Sequence, residues 1–235
     1  MLFVHETHRI SGPAEQDFEA LYREGWAPAL AKDDGARLLW YLHHAHGTGP
    51  SYTVVTITGV ADAAAWDALR TRVRDGDLSS WAADVDALRE EHAAKVLTPV
   101  AWSPLQDLDL AAVPPDADHD QALFMEDTAW PYRGRLTDYL EKAGTQYVQT
   151  LEKAEAAGRS LLRLEAAFTA AWGTGRHREV VLWQRVVRPE LLGGLFGHDV
   201  PPEHRAPGTW MHDALGVRDQ WESRLLRSAP WSPLA

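Results

Sequence analysis

The tetrapeptide Trp102-Ser103-Pro104-Leu105 returns as Trp231-Ser232-Pro233-Leu234, 129 positions later in a chain of 235 residues. Reading back from each copy, Trp81, Asp84 and Arg89 meet Trp210, Asp213 and Arg218 at the same offset of 129. Gly47-Thr48-Gly49 meets Gly173-Thr174-Gly175, and Val54-Val55 meets Val180-Val181, at an offset of 126. Phe18, Trp26 and Leu30 meet Tyr139, Tyr147 and Leu151 at 121, as Leu2-Phe3 and Thr7 meet Leu123-Phe124 and Thr128. The offset changes only between elements, where loops absorb insertions at little cost. The chain is therefore written twice.

Each copy carries one order of local signals. Residues 2–8 read as a strand, and Ser11-Gly12-Pro13 with Glu15 reads as a helix start. Phe18, Leu21, Tyr22, Trp26, Ala29 and Leu30 then form a helical apolar stripe that Asp33-Asp34-Gly35 ends. Two β-rich runs, 37–45 and 52–60, flank the turn residues His46 to Pro50 and predict an antiparallel hairpin. Helical patterns near 62–73 and 79–94 follow, and Val96 to Trp102 closes the unit as a strand. The order β-α-β-β-α-β is the ferredoxin-like unit, a four-stranded antiparallel sheet with helices on one face. The fold class expected is α+β, with repeats at 1–105 and 122–235 joined by an acidic, Pro-containing linker at 106–121.

Composition narrows the chemistry. The chain has no Cys, which removes disulfides, thiol nucleophiles and thiolate metal or haem ligands. A net charge of −11, with Arg scattered among Asp and Glu, disfavours nucleic acid. No apolar run approaches the length a membrane helix needs, and the N-terminus starts a strand without a signal-peptide pattern, so no membrane partner and a cytoplasmic location are expected. A small-molecule substrate is the expected partner, and homo-oligomerisation stays open.

With its βαββαβ order, its short first strand before a Gly/Pro turn, and Trp81 and Trp210 ahead of the last strand, each half resembles the dimeric α/β-barrel superfamily, in particular its NIPSNAP-like and EthD-like members. The resemblance implies that the two sheets bury their bare faces against one another in one intramolecular, pseudo-dimeric barrel with helices outside. It also implies a range of activities: monooxygenases without metal or cofactor, polyketide cyclases and haem enzymes. The expected function is a small-molecule enzyme with its pocket inside the barrel, doing cofactor-independent acid/base chemistry of the cyclase, isomerase or monooxygenase type on an aromatic or polyketide-like metabolite. The alternatives are a haem- or metal-dependent enzyme using a pocket His, and a non-catalytic ligand-binding or scaffold protein.

Alternation on the first strand puts Phe3, His5 and Thr7 on one face and Val4, Glu6 and His8 on the other; the second copy gives Phe124, Glu126 and Thr128 against Met125, Asp127 and Ala129. Acid/base work needs a carboxylate or His with a shifted pKa in a dry cavity. Two pairs can present a proton-transfer group to the barrel, His5 with Glu126 or Glu6 with Asp127; Glu6 and Asp127 are the expected catalytic acids, with His8 and His44 beside them, because an acid is kept in both copies and Phe3 and Phe124 suit packing against helices. Trp40 and Trp183 are expected as an aromatic wall for substrate, and Arg163 with Glu165 as a polar clamp occupying the places of Trp40 and Leu42. No metal is expected; the alternative is a site at His44 and His46, two apart on a strand, with Glu6 or His8 as third ligand. The Gly-Thr-Gly pairs lack phosphate-loop spacing and are read as hairpin turns.

Overall fold

A computed structural model describes residues 1–173, 178–196 and 202–235. Four strands come from each half: β1 (Leu2–Ile10), β2 (Ala36–His44), β3 (Thr53–Val60) and β4 (Arg89–Pro99), then β5 (Leu123–Pro131), β6 (Leu162–Trp172), β7 (Val180–Val186) and β8 (Arg218–Ser228). They close into an antiparallel barrel in the order β1-β3-β2-β8-β5-β7-β6-β4. Cut at β4–β6 and at β2–β8, this ring falls into β4-β1-β3-β2 and β8-β5-β7-β6, the ferredoxin-like order twice. Strands β1 and β5 stand opposite one another across the barrel.

Helix α1 spans 15–30 and α4 spans 136–156, each interrupted by a π-helical turn, at Leu21–Trp26 and Ala143–Tyr147. Between β3 and β4 lie α2 (Ala63–Asp75) and α3 (Ser79–Leu88). Among the described residues the second half has only short pieces in that place, one of them α5 (Trp210–Asp213). Helix α3 is shorter than its sequence pattern predicts. Residues 89–94 favour helix locally but extend as the start of β4, pairing with β1 from Arg9↔Glu91 through Glu6↔Ala94 and satisfying backbone groups that a helix would leave bare on that strand.

The repeated tetrapeptide explains how the halves hold together. After β4 the chain turns at Val100–Ser103, and Ser103 Oγ accepts from the Ala167 N–H of β6 at 2.9 Å. After β8, Ser232 Oγ accepts from the Tyr41 N–H of β2 at 3.1 Å. The indole of Trp102 donates to the Leu140 carbonyl on α4 at 3.0 Å, while that of Trp231 donates to Glu19 Oε1 on α1 at 2.7 Å. Each half thus latches onto the partner half at matched positions, 41 with 167 and 19 with 140. The segment expected as a plain linker also contributes structure: Leu110 and Val113 are buried in the barrel core.

That core corrects the expected location of the pocket. Phe3, Phe124, Phe168, Trp40 and Trp183 fill the barrel with Leu39, Leu42, Leu97 and Leu226. Phe3 and Phe168 lie 4.9 Å apart, and Trp40 and Trp183 lie 5.5 Å apart, between ring centroids. Trp40 and Trp183 are therefore core residues, buried by their neighbours, and form no substrate wall. Among the described residues no helix is long and apolar enough to cross a membrane.

Candidate functional site

Since Phe3 and Phe124 point inward, period-two alternation sends Glu6, His8 and Asp127 outward, toward the helices. The expectation that these groups face the barrel interior is overturned, because aromatic rings bury more area at the centre of a closed barrel than against a single helix layer. Glu6 and Asp127 lie instead at the floors of two pseudo-equivalent clefts between sheet and helices, with His8 buried beside the first. Glu6, Trp26, Trp81 and Arg89 line the first cleft, and Asp127, Tyr147, Trp210 and Arg218 line the second. The π turns lie over both clefts and aim Tyr22 and Trp26, or Tyr147, into them.

The second cleft is the larger, about 540 Å³, and is walled by Met125, Leu162, Leu182, Tyr139, Trp210 and Trp221. Gln184 Nε2 donates to Asp127 Oδ2 at 2.9 Å, and the Tyr147 hydroxyl donates to Gln184 Oε1. Asp127 Oδ1 is buried without a hydrogen-bond partner. Burial pushes the Asp127 carboxyl up to about 6, against the pull of Ser223, Gln184 and Arg218. The Arg218 guanidinium lies over the Trp221 ring, 5.5 Å from its centroid. A near-neutral carboxylate with one free oxygen, in an apolar cleft that also holds a cation, can exchange protons with a bound molecule.

The first cleft is about 290 Å³. Trp26 and Trp81 stack at 4.4 Å, and the Trp81 indole donates to the Leu21 carbonyl of the π turn at 2.9 Å. Glu6 Oε1 meets His92 Nε2 at 2.9 Å, and Arg89 Nη1 donates to His8 Nδ1 at 3.2 Å. Burial tends to raise the Glu6 pKa, but the His92 hydrogen bond, with Arg89 nearby, outweighs it, so the group stays ionised. Burial pushes His8 down to about 4 despite Glu6, leaving a neutral ring against Tyr22 and Thr56.

Comparison with known proteins rests on structure alone, since no family profile and no curated protein matches the sequence. A proposed monooxygenase from Lactobacillus acidophilus NCFM superposes with a TM-score of 0.59 over 96% of this chain and 93% of its own, at 10% identity. An anthrone oxidase-like protein matches over 97% and 91% at 7% identity and a TM-score of 0.54. A NIPSNAP family protein from Agrobacterium tumefaciens strain C58 is 24% identical over 45% of this chain and 100% of its own, with a TM-score of 0.39. The fold is the dimeric α/β barrel. In this α/β barrel both sheets belong to one chain.

The remaining expected site residues are dispersed around the barrel. His44 sits at its rim, lining a separate opening with Thr7, Arg9 and Arg224, and burial together with Arg224 lowers its pKa. His46 has left the strand and lies exposed in the turn after β2, so the two do not share a strand face as expected. Ladder pairing aligns Trp40 with Ala166 through their partners Ile57 and Trp183, so Arg163 and Glu165 take the places of Arg37 and Leu39, not of Trp40 and Leu42. The bulge in β6 between Leu164 and Ala166 repeats the one in β2 between Leu38 and Trp40, so the offset of 126 holds along both strands. Arg163 is half exposed, bonded to Glu155 on α4, and lines neither cleft. The second Gly-Thr-Gly, past Gly173, falls outside the described residues.

Inside the α/β barrel, His5 Nε2 and Glu126 Oε1 face each other at 3.2 Å with side chains 2% and 1% exposed. Burial raises the Glu126 pKa, but His5, Lys95 and Arg224 outweigh it and hold the carboxyl far below the usual range. This pair closes the polar end of the core and touches neither cleft. Sequence reasoning missed Gln184, Arg218, Tyr147 and His92 as site residues. The signal for two of them was present, since Arg218 repeats Arg89 and Tyr147 repeats Trp26.

Proposed function

We propose that the protein is an enzyme of small-molecule metabolism that moves a proton on a planar, largely apolar carbon acid in the second cleft, with Asp127 as the base. One observation carries this reading: Asp127 keeps a free, buried oxygen and a pKa of about 6 at the floor of an aromatic-walled cleft. The Asp127 carboxylate takes a C–H proton, the electron pair of that bond delocalises into a conjugated carbonyl, and Arg218 faces the resulting oxyanion. Return of the proton to another carbon gives an isomerase, and attack of the carbanion on a second carbonyl of the same molecule gives a cyclase. Neither outcome needs a cofactor. The larger cleft has no histidine among its described lining residues to hold a haem iron.

The anthrone oxidase-like neighbour supplies a probe of suitable shape, because anthrone has an acidic methylene between two rings. Exchange of that methylene's protons for deuterium, followed by NMR, reads the proposed step directly. The protein should accelerate exchange, and Asp127→Asn should lose about a hundredfold of that acceleration. Equal rates in Asp127→Asn and the parent protein would overturn the assignment.

A further inference from the structure

The first cleft holds a cluster that this chemistry does not use. We propose that Glu6, His8 and His92 form a binding site for one borderline divalent cation of the Zn²⁺, Co²⁺ or Ni²⁺ type, opening onto the first cleft. Among the described residues this is the group whose potential ligand atoms all lie within 4.8 Å of one another. The sheet builds it. Glu6 and His8 are two apart on β1 and share a face, and the antiparallel register sets His92 of β4 directly opposite His8. The imidazoles of His8 and His92 lie parallel, 5.1 Å apart at 5°, and His92 already touches Glu6 at 2.9 Å.

The donor set selects the ion. Two imidazole nitrogens and one carboxylate suit borderline transition ions and discriminate against Mg²⁺ and Ca²⁺, which prefer all-oxygen shells. Ligand atoms about 2.0–2.1 Å from a tetrahedral Zn²⁺ stand roughly 3.3 Å apart, so small side-chain shifts close the cluster. Glu6 and His92 both line the 290 Å³ cleft, which leaves a fourth position open to water or a ligand. The equivalent positions of the second half are Asp127, Ala129 and Trp221, with one donor instead of three. The site therefore exists once per chain.

Arg89 works against it. Its Nη1 lies 3.2 Å from His8 Nδ1, while its other nitrogen is bonded to Asp86. An ion bound through His8 Nδ1 displaces Arg89 toward Asp86, and one bound through Nε2 displaces the Tyr22 hydroxyl. In either case the guanidinium charge weakens affinity.

Calorimetric titration of the chelator-stripped full chain with ZnCl₂ tests the site, with visible absorption of added Co²⁺ as a second readout. One equivalent should bind. His92→Gln, at an exposed position, and His8→Gln should each weaken binding by more than the roughly 10–100-fold that loss of an outer-shell partner costs. Arg89→Gln should tighten it, and Asp127→Asn should leave it unchanged, so the result is independent of the proton-transfer reading. Absence of saturable binding, or binding in His92→Gln and His8→Gln as strong as in the parent chain, would overturn the proposal.

Discussion

The two clefts began as one design and now differ in size, charge and proton affinity. In the first half α2 and α3 cover the sheet, and α2 brings Arg70 and Arg74 to join Arg89 of β4, leaving 290 Å³. In the second half, short turns and α5 replace that cover, and the cleft widens to about 540 Å³ with Met and Trp walls. The acid at the floor follows its surroundings. Glu6, beside His92, His8 and Arg89, stays ionised, whereas Asp127, with fewer charges near it, is pushed up to about 6. Environment, more than side-chain identity, sets what a repeated carboxylate can do.

Three kinds of equivalent pair follow from the duplication. Positions 6 and 127 have diverged in environment, 5 and 126 have become complementary, and 103 and 232 have stayed the same. The complementary pair is the one that a dimer of identical chains cannot make. Strands β1 and β5 face each other across the barrel, so in a homodimer the residue at position 5 would meet its own copy, giving His with His or Glu with Glu. Fusion into one chain allows His5 to meet Glu126.

The largest effect is expected there. Glu126→Gln leaves buried His5 without its carboxylate partner, while Lys95 and Arg224 keep Glu179 and Glu222, and should cost about 3 kcal/mol in urea unfolding, whereas the double replacement His5→Leu with Glu126→Leu should recover most of it. A loss below about 1 kcal/mol in the single variant would mean that water already serves these groups.

The divergent pair should show in the pH dependence of stability. Asp127 has its folded pKa raised to about 6, so its contribution is full below the ordinary carboxylate range and is lost as pH rises through 6. His8 has its folded pKa lowered to about 4, so its contribution is full above the ordinary His value and is lost as pH falls toward 4. Between pH 4 and 6 the two slopes oppose. Asp127→Asn should therefore make stability rise with pH across this window, and His8→Gln should make it fall, each by on the order of 2 kcal/mol. Thermal unfolding at pH 4.5 and 6.5 checks the sign, and parallel behaviour of both variants would erase the contrast between the clefts.

The conserved pair should give the smallest and most even effect. Ser103→Ala and Ser232→Ala each remove the acceptor of one β-strand N–H, at Ala167 and Tyr41, and should each cost about 1 kcal/mol. Unequal losses would show that one latch bears more of the closure than the other.

The doubling of the chain was legible because large or rare residues recur at fixed offsets: the tetrapeptide, Trp81 with Trp210, Phe18 with Tyr139. Element order and the barrel followed from it. The overrun of α3 was not legible, because 89–94 is helical by local preference and becomes a strand only opposite β1. His92 was hidden for the same reason: its place across from His8 exists only once β4 is extended and in register.

By itself, then, the sequence determined two copies of a ferredoxin-like unit and a strict two-sided alternation on each first strand. It left open which side faced inward, since exchanging the two faces leaves a period-two pattern intact. Tertiary structure made that choice when β2 met β8 and β4 met β6: closing the ring created one interior, the Phe, Trp and Leu side chains filled it, and Glu6 and Asp127 were turned out beneath the helices. The physical reason is that a strand's alternation is local, while inside and outside are defined only when the last edge of a sheet is paired.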